Sequence, residues 1–102
     1  SDNNSNNMNY QENLKLVLVV RSDLQMTSGK MAAQCVHAAL AVVRIVEVQN
    51  PIALQIWRYS GEATICLRCS NEDELNSLES CASSIGLPTS VVHDAGRTQV
   101  AP

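Results

Sequence analysis

The sequence is poor in aromatic residues, because its 102 residues include no Phe, one Trp and two Tyr. Proteins that bind single-stranded nucleic acid stack bases on aromatic side chains, so this scarcity argues against a base-stacking surface. Basic residues are also few, since seven Lys and Arg stand against ten Asp and Glu, for a net charge of −3. The chain therefore cannot coat nucleic acid by bulk charge, and any RNA contact would use a local basic patch, phosphate and ribose.

Long apolar runs are missing as well. No run approaches the roughly 18 residues of a membrane span and no signal peptide is visible, so we expect no membrane segment. The chain begins at Ser1 rather than Met, which leaves open an upstream targeting segment. With 102 residues, 45% of them hydrophobic, the sequence predicts a single domain with a modest core.

The four cysteines do not form a recognisable disulfide or zinc pattern. Cys35 and Cys81 fall on apolar faces of predicted helices, where Cys usually acts as a small hydrophobic residue. Cys66 and Cys69 form a single Cys-x-x-Cys, whereas a structural zinc site needs a second pair of ligands. We expect reduced thiols, no metal and no cofactor, with a thiol redox role for Cys66 and Cys69 as a minor alternative.

The apolar pattern predicts an α/β domain that follows a flexible tail. Residues 1–13 are rich in Asn and Ser and have too few apolar side chains to offset the entropy of ordering. The order of elements in residues 14–102 favours a three-layer α/β/α domain with a small parallel or mixed sheet. The predicted strands are at 14–20, 63–69 and 89–93. The predicted helices are at 29–49 and 51–59, with a third that begins at about residue 72 and is ended by Gly86.

The first predicted helix begins with an unusual charge. Thr27 or Ser28 is the candidate N-cap, and Lys30 stands in the first turn, where the helix dipole favours acids by about 0.3 to 1 kcal/mol. The third predicted helix begins with Glu-Asp-Glu at 72–74, as the dipole prefers. Backbone N–H groups and an ammonium group together can hold an anion or a developing oxyanion. A solvated lysine at a fraying helix end is the alternative interpretation of Lys30.

Polar residues along the first predicted helix form one stripe. Lys30, Gln34, His37 and Arg44 are four, three and seven positions apart, which places them on one face at 3.6 residues per turn. We interpret Arg44, with Glu47 three residues later, as part of a solvated face. An exposed imidazole and a role beside Lys30 are equally compatible with the position of His37.

The predicted topology brings three polar segments to one edge of the sheet. Ligands of α/β proteins bind beyond the carboxyl ends of parallel strands. That edge would hold residues 21–23, 30–37 and 94–99, provided that the first and third strands are parallel neighbours. A carboxylate, an ammonium and a hydroxyl group at this edge could orient water and stabilise an oxyanion in a hydrolysis without metal. Taken alone, Asp94 is also explained as a turn residue.

Three segments resemble the archaeal and eukaryotic peptidyl-tRNA hydrolase 2 family. They are Leu-Val-Leu-Val-Val-Arg-Ser-Asp-Leu at 16–24, Gly-Lys-Met-Ala-Ala-Gln-Cys-Val-His-Ala-Ala at 29–39 and Asp-Ala-Gly-Arg-Thr-Gln-Val-Ala-Pro at 94–102. The resemblance spans about residues 14–102. It implies hydrolysis of the ester that joins a peptide to the 3′ ribose of tRNA, with peptidyl-tRNA as partner and with the cytoplasm or the mitochondrion as location.

The same resemblance implies site residues by their position in the motifs. Lys30 and Asp94 match essential residues of the family, and Thr98 matches an active-site threonine. Their expected roles are to stabilise the tetrahedral oxyanion (Lys30), to orient or deprotonate water (Asp94) and to position water or substrate (Thr98). The residues expected to shape the site or to contact the tRNA backbone are Arg21, Gln34, His37 and Arg97.

The sequence departs from the family at its C-terminal end. In the family, the segment that matches 94–99 continues into a fourth strand and a last helix, so we expect this domain to be incomplete. A sheet without its fourth strand has an unpaired edge. The alternative function is therefore a non-catalytic interaction module in mitochondrial or cell-death signalling, whose sheet edge recruits a strand of a partner.

Overall fold

The structure is a computed structural model, and it describes residues 14–93. These residues form a small α/β fold with two strands and three helices, which confirms the predicted fold class. In chain order the elements are β1 (Leu16–Arg21), α1 (Ser28–Gln49), α2 (Pro51–Tyr59), β2 (Thr64–Cys69) and α3 (Glu72–Ser84).

The two strands form a parallel sheet. Leu18 pairs with Cys66 and Val20 with Arg68, so both strands end at the same edge. Parallel strands need a long crossover connection, and α1 and α2 form it. Both α1 and α3 contact β1, which leaves β1 half-buried except at Val17, whose side chain is 50% exposed. β1 is thus the strand on which these two helices pack.

The predicted third strand at 89–93 is wrong. Residues 87–93 have no regular secondary structure, and β2 is the only strand that pairs with β1 within the described range. β-branched residues such as Val91 and Val92 form a strand only where the backbone pairs with a neighbour, because their preference reflects packing on a pleated surface. The hydroxyl group of Thr89 instead donates a hydrogen bond of 3.3 Å to Glu79, which ties this segment to α3.

Capping groups determine where α1 and α2 begin. The Oγ1 atom of Thr27 accepts the backbone N–H of Lys30 at 3.2 Å, which confirms Thr27 as one of the two candidate N-caps of α1. Pro51 has no N–H group and cannot continue a helix, so α1 ends before it and α2 begins with it. The side chain of Asn50 caps α2 by accepting the N–H of Ala53 at 3.2 Å.

Among residues 14–93, α1 alone has the length and apolar composition of a membrane-crossing helix. This finding corrects the expectation that no segment would meet that criterion. Its many Ala and Val residues raise the average hydropathy although Lys30 and Arg44 interrupt the apolar sequence. Helices that pack inside layered domains meet the same criterion, and α1 contacts both β1 and α2.

The core of the described residues is small. Leu54 and Cys69 are its buried apolar residues, at 5% and 4% exposure. The apolar pattern of residues 51–59 predicts that Ile52 and Ile56 face inward, and for Ile52 this prediction is wrong, because Ile52 is 69% exposed. The indole N–H of Trp57 donates to the carbonyl of Ala63 at 2.9 Å, and this bond ties α2 to the residue that precedes β2.

Candidate active site

Four of the predicted site residues lie in the described range, at the end of β1 and in the first half of α1. Arg21 is the last residue of β1, and its side chain is 21% exposed. Lys30 is in the first turn of α1 and partly exposed, and Gln34 and His37 follow at intervals of about one turn. The other predicted site residues, Asp94, Arg97 and Thr98, lie outside the described residues.

A two-point ion pair holds the guanidinium group of Arg21. Its Nε atom donates to Oδ1 of Asp23 at 3.0 Å, and its Nη2 atom donates to Oδ2 at 2.7 Å. The remaining Nη1 atom lies 4.0 Å from a carboxylate oxygen of Glu72, at the start of α3. Parallel hydrogen bonds of this kind fix the orientation of the guanidinium plane as well as its position. Arg21 is therefore oriented at the edge where the two strands end.

This ion pair should be visible in the titration of Asp23. Hydrogen bonding to Arg21 lowers the pKa of the Asp23 carboxyl group, and the same bonds raise the pKa of Arg21. Because the pKa of Asp23 is lower in the folded than in the unfolded state, the ion pair stabilises the folded protein at pH values above about 3.9, the ordinary pKa of Asp. This stabilisation is lost as the pH falls through the pKa of the folded state.

We expect the NMR titration midpoint of Asp23 to lie below about 3.9 in the wild-type protein and to return toward that value in Arg21→Gln. Circular dichroism of the variant would establish that it remains folded. Identical midpoints in the two folded proteins would contradict the ion pair.

The first turns of α1 and α3 differ in charge, as predicted. The first turn of α1 contains no acidic residue, whereas that of α3 contains Glu72, Asp73 and Glu74. Asn71 caps α3 by accepting the N–H of Glu74 at 2.9 Å. Within residues 14–93, Lys30 forms no ion pair. Its ammonium group and the positive end of the α1 dipole therefore both favour an anion at this helix start.

Gln34 has a buried amide group without a partner. Both its Oε1 and Nε2 atoms are shielded from solvent and make no hydrogen bond to the described residues. A buried polar group without a partner costs about 1–3 kcal/mol, so this position favours a ligand or another polar group beside Gln34. Gln34 and Arg21 both line a cavity of about 1040 Å³ between β1, α1, α3 and the segment 87–93.

The predicted stripe along α1 therefore divides into two parts. Gln34 turns toward the cavity that Arg21 also lines, while His37 and Arg44 are exposed. The exposure of Arg44 confirms that it belongs to a solvated face. Lys30 is one turn before Gln34 in α1 and does not line the cavity. Of the predicted site residues in the described range, Arg21 and Gln34 thus line the same cavity.

The described residues contain no obvious metal site. Among residues 14–93, no three His, Cys, Asp or Glu side chains are grouped as possible metal ligands. Hydrolysis without metal or cofactor stays a prediction. The groups available for it in this part of the chain are an ammonium group, a guanidinium group and an unpaired amide, which can polarise a carbonyl group and bind phosphate.

The fold and the site define a class of small α/β proteins with a cationic helix start at the carboxyl end of a parallel sheet. Comparison with known proteins agrees with this class and makes it specific. The family model for peptidyl-tRNA hydrolase PTH2 matches residues 14–102. The chain therefore belongs to the peptidyl-tRNA hydrolase 2 family, as the three sequence segments indicated.

Curated relatives come from fungi, animals and archaea. The chain is 52% identical over 87 residues to the probable peptidyl-tRNA hydrolase 2 of Schizosaccharomyces pombe. These residues are 85% of this chain and 42% of that protein. It is 43% identical to the mitochondrial peptidyl-tRNA hydrolase 2 of Homo sapiens, over 86% of this chain and 49% of that protein. It is 35% identical to the peptidyl-tRNA hydrolase of Thermococcus onnurineus, over 86% of this chain and 75% of that protein. The chain thus spans about half the length of these eukaryotic relatives.

Proposed function

We propose that this protein hydrolyses peptidyl-tRNA to a free peptide and a tRNA that can be charged again. The observation that supports the proposal most strongly is Lys30 at the acid-free start of α1, inside the family motif at 29–39. The relatives are named as peptidyl-tRNA hydrolases, which supports the same activity for this chain.

In the proposed mechanism, the ester carbonyl of the substrate binds at the N-terminus of α1. Asp94 orients a water molecule and accepts its proton as the water oxygen attacks the carbonyl carbon. The ammonium group of Lys30 stabilises the oxyanion of the tetrahedral intermediate. The intermediate then expels the 3′ ribose oxygen, which takes up the proton that Asp94 accepted, and the peptide leaves as a carboxylic acid that ionises in water. Thr98 positions the water or the substrate.

The cavity beside this position suits the end of the substrate that is attached to the ribose. Gln34 can donate one hydrogen bond through Nε2 and accept another through Oε1, so a peptide or ribose group would satisfy its buried amide. Arg21 and Arg97 are the candidates for phosphate contacts, and His37 is exposed for a contact further along the tRNA backbone. Because the chain has a net charge of −3, these phosphate contacts should be few.

Replacement of Asp94 tests the proposed role of that carboxylate. In Asp94→Ala, the rate of peptidyl-tRNA cleavage should fall about 10²-fold or more, because the variant lacks the carboxylate that is proposed to accept the proton of the attacking water. The measurement is the release of labelled peptide from peptidyl-tRNA in a single turnover.

Asp73→Ala is a suitable control, because Asp73 is an exposed acid in α3 and has no proposed role in the reaction. The Asp73→Ala protein should retain activity close to that of the wild type. Near-normal cleavage by folded Asp94→Ala would contradict the mechanism.

The location of the protein is a separate proposal. We propose the cytoplasm or the mitochondrion, and the mitochondrial location is supported by the names of the mammalian relatives. Subcellular fractionation with antibody detection would distinguish the two compartments. Neither the described residues nor the relatives offer an observation that favours the non-catalytic interaction module.

A further inference from the structure

The amide group of Gln34 offers a donor and an acceptor that no other group within residues 14–93 uses. Its Nε2 atom can donate and its Oε1 atom can accept, and both atoms are shielded from solvent without a hydrogen-bond partner. The large majority of buried side-chain polar atoms in proteins have a partner, so this amide indicates a ligand that supplies one. Because Nε2 and Oε1 belong to one planar group, the ligand must present an acceptor and a donor close together.

Gln34 lies next to the place proposed for the reacting ester. It follows Lys30 by four residues in α1, so the two are neighbours on one face of the helix, with a rise of about 6 Å between them. Gln34 also lines the cavity of about 1040 Å³. An extended chain advances by about 3.3–3.6 Å per residue, so the peptide unit nearest the ester lies within reach of Gln34 when the ester carbonyl is at Lys30.

An extended peptide supplies the pair of groups that Gln34 requires. The N–H and C=O groups of one residue in an extended chain point to the same side, as they do in hydrogen-bonded pairs of antiparallel strands. In peptidyl-tRNA, the penultimate residue of the peptide presents such a pair one residue away from the ester. An aminoacyl ester with a free α-amino group has neither group at that place.

The charge at this helix start also disfavours a free α-amino group. Such a group is an ammonium ion below its ordinary pKa of about 7.7–8.0, and it would lie beside the ammonium group of Lys30 and the positive end of the α1 dipole. Each acid that lines the cavity within residues 14–93 already has a donor or a cation beside it; these acids are Glu72, Glu74 and Glu79. A peptide unit is neutral at the same place and avoids the repulsion.

We propose that Gln34 makes this protein specific for N-acylated over free aminoacyl esters of tRNA, by hydrogen bonding to the peptide. Nε2 donates to the carbonyl group of the peptide unit nearest the ester, and Oε1 accepts the N–H group of the penultimate residue. This role rests on the proposed function, because the ester at Lys30 sets the position of the peptide. Aminoacyl-tRNA makes neither bond and is spared.

Esters that differ only in their peptide part test this role. One tRNA is used as its aminoacyl, N-acetyl-aminoacyl and N-acetyl-dipeptidyl ester, and kcat/KM is measured for the wild type and for Gln34→Met, which keeps a similar length without the amide. The wild type should prefer the N-acetyl-dipeptidyl ester to the free aminoacyl ester by about 10²-fold or more. Gln34→Met should lose about 10- to 10²-fold on the N-acetyl-dipeptidyl ester, less on the N-acetyl-aminoacyl ester and little on the free ester.

Gln55→Met is the matched control, because Gln55 is exposed in α2 and has no proposed role in the reaction. It should leave the three rates close to those of the wild type. Circular dichroism should show that Gln34→Met is folded, since the substitution removes an amide that has no partner in the described part of the chain.

Binding of a stable analogue separates this role from hydrolysis. An adenosine that carries an N-acetyl-dipeptide through a 3′ amide should shift the NMR signals of the Gln34 side-chain NH₂ group, which are assigned by their loss in Gln34→Met, and the aminoacyl analogue should not. This shift without cleavage of any ester would refute the proposed function and support the role of Gln34. Cleavage by folded Gln34→Met with an unchanged preference, or with equal losses on all three esters, would overturn the role of Gln34 and leave the proposed function intact. Equal losses would place Gln34 against the ribose, which the three esters share.

Discussion

Replacing Lys30 with Ala should lower the rate constant of peptidyl-tRNA hydrolysis about 10²- to 10³-fold, with a much smaller change in substrate affinity. The oxyanion forms only as the tetrahedral intermediate develops, so a group that stabilises it acts on kcat rather than on binding. Lys30 is suited to this role because it stands at a helix start without acids, where the backbone N–H groups also favour negative charge. Single-turnover peptide release measures the effect, and a binding titration with tRNA measures affinity separately.

Arg44→Ala is the matched control for this variant. Arg44 is a second cation on the same stripe of α1, but it is exposed and lies about four turns further along the helix. Its removal changes the net charge as Lys30→Ala does, and it should leave kcat close to that of the wild type. Similar losses in both variants would indicate a general electrostatic effect, and near-normal hydrolysis by folded Lys30→Ala would refute the proposed role.

Leu54→Ala should lower the free energy of unfolding by about 2–5 kcal/mol. Leu54 is 5% exposed, and truncating a buried leucine loses both its transfer free energy and its packing contacts. Small domains are stable by only about 5–15 kcal/mol, so this loss is a large share of the total. Urea denaturation followed by circular dichroism measures the difference between the variant and the wild type.

Val48→Ala provides the comparison for Leu54→Ala. Val48 is near the end of α1 and its side chain is 82% exposed, so its truncation should change the free energy of unfolding by less than about 0.5 kcal/mol. Equal losses in the two variants would contradict the placement of the core around Leu54.

Local signals were sufficient to predict most of the secondary structure. The caps at Thr27 and Asn71 and the break at Pro51 are features of a few neighbouring residues, and the elements they bound were predicted closely. The predicted strand at 89–93 failed because a strand also requires a distant partner, which no local pattern reveals. The exposure of Ile52 was mispredicted for a similar reason, because it depends on how α2 packs against the rest of the chain.

The candidate site was predicted in part. The contrast between Lys30 and the acids that begin α3 could be predicted because it depends on charge alone. The unpartnered amide of Gln34 depends on burial in the folded chain, so the sequence pattern did not indicate it. The two hydrogen bonds from Arg21 to Asp23 are local, but opposite charges two positions apart are too common to predict such geometry. The predicted roles of Asp94, Arg97 and Thr98 rest on the family motif.

Hydrolysis in water enriched in ¹⁸O tests the proposed activity most directly. If water attacks the ester carbonyl, mass spectrometry of the products after a single turnover should find one ¹⁸O atom in the new carboxyl group of the peptide and none at the 3′ hydroxyl group of the tRNA. Lys30→Ala should release little of this labelled peptide in the same time. Intact peptidyl-tRNA after incubation with the wild-type protein, or ¹⁸O at the ribose instead of the peptide, would contradict the proposal that this protein is a peptidyl-tRNA hydrolase acting by attack of water on the ester.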